Sequence, residues 1–322
     1  MVTIGRRSRM SKPASTRPAL FVLVAAFGVS ACSTGGATPV SPGATPAASV
    51  VPSSSPTPVV TPTPGIPDGG LAHPTGATEI VLRFDEAGGF VPPEFLAARL
   101  PYFTLYGDGT VVFVQTTAPF VDRSDNVSVG QPVRTARLSE AQVQALLLSA
   151  LRDGGLALAR DSYLDMTVSD APTAVFEVNA DNDSKTVSVY ALGMEGKPGP
   201  DTAILKAMAG LGARLRDFDQ GGTLASAPYE PAAYRGVLME QQGVQGVRIR
   251  DWPWPELAPA DFTLPADANA LQQGTRTLTP DEVAALGVDG YEGGIASGVW
   301  LRGPDGKIYS LAVRPLLPDD KA

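Results

Sequence analysis

One cysteine and one histidine are all that the 322 residues contain, and this scarcity removes whole classes of chemistry. Cys32 stands alone, so the chain forms no internal disulfide and no thiolate metal site. His73 lies upstream of every segment with a folding pattern, which leaves no Ser-His-Asp or Cys-His nucleophile and no histidine-based zinc site in the expected body. Motifs that cradle phosphates are also missing there: neither a phosphate loop nor G-x-G-x-x-G occurs, and S-x-x-K is absent too. Positive charge is short as well. Lys and Arg number 25 against 33 Asp and Glu, and five of the bases (Arg6, Arg7, Arg9, Lys12 and Arg17) precede Cys32 while no acid does. The chain from Cys32 onward therefore holds 20 bases against 33 acids, a net charge near −13 compared with −8 for the whole. Such a surface repels phosphate backbones and anionic headgroups, which argues against nucleic acid as a partner and against a basic membrane-docking face.

What is present is most specific at the N-terminus. Residues 1–18 are basic and polar, Ala19 to Ala31 form an apolar run, and Val29-Ser30-Ala31-Cys32 places small residues before the thiol. The run has 13 residues, against about 20 needed to span a bilayer, so it reads as a cleaved signal core. The segment resembles the bacterial lipoprotein lipobox. That resemblance implies that residues 1–31 are a signal peptide and that Cys32 accepts diacylglycerol and an acyl chain such as palmitate. The lipid would then anchor the chain to the cell membrane on its extracytoplasmic side. Arg6-Arg7 resembles the start of a twin-arginine signal, but Ser8-Arg9-Met10 stands where that motif has a hydrophobic pair, which favours the general secretory route.

From Ser33 to Gly76 the chain has ten prolines, many Thr and Ser, and a single charge, Asp68. This composition offers too little apolar surface to offset the entropy of ordering, so residues 32–76 are expected to form a lipidated, disordered linker. Proline favours polyproline II at ~3.1 Å per residue, which gives the linker a reach from a few tens of Å to ~130 Å.

Two α+β modules are expected beyond it, at 77–222 and 223–322. In the first, alternation at Ile80–Phe84 predicts a strand, and β-rich runs on either side of Gly107-Asp108-Gly109 predict a hairpin. Ser139 with Gln142 forms a capping box, Leu138 staples onto Val143, and Gly154-Gly155 ends the helix. A second hairpin turns at Asp181-Asn182-Asp183-Ser184, and a second helix starts near Asp201. The second module repeats the theme with strands over 234–239 and 246–250. A helix follows, capped by Thr279 with Pro280 and Glu282, and the last hairpin turns at Pro304-Asp305-Gly306-Lys307. Antiparallel hairpins with a few packed amphipathic helices define the class as α+β. The two helix starts align, Leu138-Ser139 with Leu278-Thr279, which raises an internal duplication as one reading.

The segments FVPPEF (90–95), LYGDGTVVF (105–113), YEP (229–231) and RPLLPDD (314–320) resemble a family of secreted and lipid-anchored envelope proteins of high-GC bacteria. The resemblance implies envelope location and two modules that travel together. It brings no activity, cofactor or catalytic residue.

Candidate site residues are few. Paired carboxylates remain open for a glycosidase-like mechanism, with Asp85, Glu86, Asp161, Asp165 and Asp170 as candidates, although loop acids on an acidic protein are usually solvated. Asp181-Asn182-Asp183 has calcium-binding oxygens but lacks the glycine and distal glutamate of an EF-hand, and reads better as a turn. Gly294-Ile295-Ala296-Ser297-Gly298 has its serine one place off the nucleophile-elbow spacing and also reads as a turn. Trp252-Pro253-Trp254-Pro255 either presents two rings to a sugar or peptide ligand or plugs the junction between the modules, the second being the commoner fate of large aromatics. Catalytic and metal residues, and cofactors, are expected to be none. The expected function is a non-catalytic envelope module binding a wall polymer, a peptide or another envelope protein, with a carboxylate-dependent hydrolase of envelope glycans as the alternative.

Overall fold

Alternating apolar residues build two sheets in the computed structural model, which describes residues 70–89, 98–116, 127–164, 168–194, 199–263 and 273–321. The first sheet comprises β1 (Ile80–Gly88), β2 (Phe103–Tyr106), β3 (Thr110–Val114), β5 (Val133–Arg137), β6 (Ser162–Tyr163), β7 (Pro172–Ala180), β8 (Asp183–Tyr190) and β9 (Ala227–Pro228). Their spatial order is β6-β8-β7-β1-β2-β3-β5-β9. Every pairing is antiparallel except β6 with β8, and the class is α+β. Both expected hairpins form. Gly109 takes φ +85° after Asp108, whose carboxylate accepts the Thr110 N–H at 2.9 Å. Asp181 and Asn182 take φ +53° and +60°, the pair of left-handed residues that a two-residue hairpin turn requires.

One face of this sheet is covered by α1 (Glu140–Leu148) and α2 (Thr202–Arg216). Val143, Leu146 and Leu147 of α1 and Met208, Leu211 and Leu215 of α2 close over Phe84, Phe103, Leu105 and Phe176. The α2 backbone comes close because residue 212 is glycine: a Cβ there would lie 3.1 Å from the Phe84 ring. Past Leu148 the helix widens into a π-helical turn over Ser149–Asp153 before Gly154 ends it. Periodicity alone does not distinguish that widening from α-helix.

The second sheet contains β10 (Tyr234–Gln241), β11 (Ile249–Asp251), β12 (Gly274–Leu278), β13 (Ala296–Arg302) and β14 (Ile308–Pro315), in the order β11-β13-β14-β10-β12. A short helix, α3 (Pro280–Ala284), follows β12 with a complete capping box: the Thr279 hydroxyl accepts the Glu282 N–H and Glu282 accepts the Thr279 N–H. Val283 and Leu286 then pack onto Leu278, Val299 and Leu311.

The boundary expected at residue 222 is not a clean break. β4 (Ser128–Val129), from the first module's stretch of sequence, pairs with β13, while β9, from the second's, completes the first sheet. Both sheets fall in one compact unit, Pro62–Ala322.

Three expectations need correction. Residues 70–76, assigned to the linker, pack on the body. Gln144 donates to the Leu71 carbonyl and accepts the Leu71 N–H. Ala72 exchanges hydrogen bonds with Asp181, and both ring nitrogens of His73 are engaged, by the Pro74 carbonyl and by Glu140. The folded part therefore begins at least as early as Gly70. Secondly, Ser297 is not in a turn. It is 1 % exposed inside β13, opposite Ser128, where Gly298 at φ +69° accommodates a bulge. Thirdly, a duplication in sequence order does not fit the strand order. The first strand of hairpin β7–β8 lies beside β1, whereas it is the second strand of hairpin β13–β14 that lies beside β10.

Candidate functional site

β12 is the last strand of the second sheet, and a groove of about 700 Å³ opens beside it. Strand register fixes its floor. Thr277 of β12 lies opposite Arg235 of β10, which in turn lies opposite Arg314 of β14, so the three share one face. Thr275, two residues before Thr277, lies on the same face. Arg276 projects from the other face and borders the groove at the sheet edge. The walls are Asp261 and Thr263, which the Thr263–Thr275 bridge holds against β12, and the C-terminal residues Asp320 and Lys321.

Two arginines directly opposite one another repel. Asp320 relieves this. It receives two hydrogen bonds from Arg314, at 2.6 and 2.8 Å, and one from the Leu317 N–H at 2.8 Å. Burial works against the Asp320 charge, but these bonds and the nearby Arg314 and Arg235 charges outweigh it and hold the carboxyl below its usual range. Asp261 is also committed, accepting the Ala258 N–H at 2.7 Å. Arg235 has the Asp320 charge nearby but is less fully bonded: among the described residues its one hydrogen bond runs from Nη2 to the Lys321 carbonyl at 2.6 Å, and its buried Nε–H has no acceptor. Arg276 is similar, with a buried, unpartnered Nε and only a 3.6 Å approach to Glu282. Among the described residues, the hydroxyls of Thr263, Thr275 and Thr277 have no hydrogen-bond partner. The groove is thus lined by arginine and threonine donors beside two carboxylates, each of which already accepts a hydrogen bond from elsewhere in the fold.

A second polar cluster joins the sheets. The Tyr106 hydroxyl and Arg83 Nη2 both donate to Asp319 Oδ1, at 2.6 and 2.7 Å, and the Tyr229 hydroxyl donates to the Leu316 carbonyl at 2.7 Å. Burial first, and Asp319 second, push the Tyr106 hydroxyl far above its ordinary value; burial and the neighbouring aspartates raise Tyr229 to about 12. Beneath them Leu317 packs with Tyr106, Val112 and Val133. Three of the four segments that carry the family resemblance, LYGDGTVVF, YEP and RPLLPDD, meet here; FVPPEF lies outside the described residues. The convergence gives those segments a structural task, holding the C-terminal residues on the first sheet.

Of the carboxylates read as catalytic candidates, Asp85 and Glu86 are consecutive on β1 and so face opposite sides. Asp85 pairs with Arg99 at 2.7 Å, and Glu86 with Arg216. Asp161 and Asp170 are exposed, and Asp165 lies outside the described residues. No two of the described candidates converge on one cleft.

Trp252 and Trp254 lie neither at the module junction nor side by side on the surface. The two rings meet edge-on at 5.1 Å within the second sheet's own core, beside Phe262 and Tyr309. Trp254 is buried, and its Nε1 donates to the Glu282 carbonyl at 2.8 Å; Trp252 is half-buried, and its Nε1 donates to the Leu257 carbonyl at 2.6 Å. Cys32 and the lipobox lie outside the described residues, among which no helix is long and apolar enough to cross a membrane.

The groove escaped sequence reading because its residues come from four separated stretches and form no motif. The advance signal was the placing of Arg235 before the stretch Gly236–Met239 and of Arg314 after Leu311-Ala312-Val313. No protein-family model, curated protein or solved structure matches the chain.

Proposed function

We propose that this chain is an exported lipoprotein anchored to the cell membrane through Cys32, whose body binds a cell-wall polymer without catalysis in the groove beside β12. The charged, apolar and small-residue order around Val29–Cys32 supports the anchor, and the Pro/Thr/Ser-rich stretch supports a body held clear of the bilayer. The binding reading rests on one observation: Arg235, a partly buried cation with a single hydrogen bond among the described residues, sits on the floor of an open polar groove. Desolvating a cation without an acceptor costs stability, and sites that retain such a group commonly do so for a ligand.

Two experiments test the halves separately. Mass spectrometry of the chain recovered from membranes should show an N-terminal Cys32 carrying acyl chains, with Cys32→Ala leaving an uncut precursor; an unmodified N-terminal cysteine would refute the anchor. Residues 33–322, which retain the whole compact unit, should co-sediment with purified wall sacculi, and Arg235→Gln should release them. Co-sedimentation unchanged by that substitution, or none at all, would refute the groove as the wall-binding site.

A further inference from the structure

We infer that the groove beside β12 is an oxyanion site, with Arg235 as its principal donor, for an anionic group carried on an otherwise uncharged saccharide. The inference rests on the proposed wall-polymer binding and names the part of the ligand that is recognised.

Charge accounting on the groove carries it. The facing residues Arg235 and Arg314 supply two guanidinium charges, and Arg276 and Lys321 add two more at the rim. Against these stand Asp320, which accepts two bonds from Arg314 and one from the Leu317 N–H; Asp261, whose Oδ2 accepts the Ala258 N–H; and Glu282, 3.6 Å from Arg276. The local balance is positive, in a chain whose net charge beyond Cys32 is near −13. A guanidinium offers five N–H donors in a fixed fork. Arg235 donates one to the Lys321 carbonyl, its Nε–H is buried with no acceptor among the described residues, and the guanidinium borders the groove. The hydroxyls of Thr275 and Thr277 stand on the same face and supply neutral donors beside the charge. Planar carboxylate and tetrahedral phosphate both fit such a fork, and charge-assisted bonds to them are the strong ones.

The surrounding acidity narrows the class further. A polyanion would be repelled by the field of the whole chain, whereas one charge on a neutral carrier pays little of that cost. Hydroxyl-rich surroundings and room for a sugar-sized group favour a saccharide as that carrier.

The test is calorimetric titration of residues 33–322 with glucuronate, glucose 1-phosphate and glucose. Binding of either charged sugar, with none by glucose, is expected, and which one binds identifies the source as carboxylate or phosphate. Affinity should fall with added salt, and by about tenfold or more in Arg235→Gln. The exposed Lys321→Ala, which leaves the sheet intact, should weaken it by a smaller factor. Equal binding of all three sugars, or binding of a charged sugar that neither substitution alters, would overturn the oxyanion inference. Failure of all three sugars while sacculi still retain the protein in an Arg235-dependent way would overturn it and leave wall binding standing. Failure of both would remove the two readings together.

Discussion

The Tyr106 hydroxyl donates a 2.6 Å hydrogen bond to the Asp319 carboxylate, tying β2 of the first sheet to the C-terminal residues that leave the second. Arg83 donates to the same oxygen at 2.7 Å, so a single side chain receives two partners from neighbouring strands. Burial opposes the Arg83 charge, but Asp319 outweighs it and raises the guanidinium pKa. Asp319→Ala would strand a buried hydroxyl and a mostly buried cation, a loss expected to cost about 3 kcal/mol. Urea unfolding checks this: a change within about half a kcal/mol, as for ordinary surface positions, would show that the junction does not depend on this contact.

Asp320 makes part of the stability depend on pH. Its folded pKa is depressed, so its contribution is full above the unfolded carboxyl value of ~3.9 and is lost as the pH falls through the folded value. Asp320→Asn should therefore cost about 1.5–3 kcal/mol at neutral pH. The gap between variant and wild type should narrow in acid. Paired urea titrations at pH 7 and pH 3 measure it, and a gap that stays constant would contradict the assignment.

Trp254→Ala is expected to lower stability by ~3–5 kcal/mol, because it removes a buried ring and leaves the Glu282 carbonyl without its donor. Trp252→Ala should cost less, since that ring is half-buried. With Trp300 replaced by Phe, emission from the remaining pair should be blue-shifted and resist acrylamide. Red, easily quenched emission with unchanged melting would place the rings on the surface instead.

Much of the fold was legible in local sequence. Gly109 and Asp181-Asn182 form turns because they tolerate positive φ, and Ser139 and Thr279 mark helix starts because a capping box satisfies N–H groups that lack intrahelical partners there. What local pattern cannot carry is pairing between distant stretches. The exchange of β4 and β9 between sheets, and the docking of Arg314–Asp320 on Tyr106 and Arg83, depend on contacts more than a hundred residues apart in places. The groove belongs to this second kind. The tryptophans were legible as structural, but not their place, because edge-on packing in one sheet's core and filling of a junction leave the same mark on the sequence.

Gly70–Gly76 should behave as part of the body although its composition continues that of the linker. Amide exchange at Leu71 is expected to be slow, and Gln144→Ala, which removes both of its contacts to that residue, should make it fast. Limited proteolysis should accordingly leave a fragment beginning at or before Gly70. A stable fragment beginning near Thr78 would show that the segment is dispensable.

The groove itself is tested most directly by the side-chain resonances of its arginines. The Arg235 Nε–H is buried and without an acceptor, so it should exchange slowly enough to be observed in ¹⁵N-labelled protein, identified by its loss in Arg235→Gln. On titration with soluble wall fragments that resonance and the amides of Thr275 and Thr277 should move together along one saturating curve. Saturable shifts confined to other surfaces, with these three unmoved, would contradict the account.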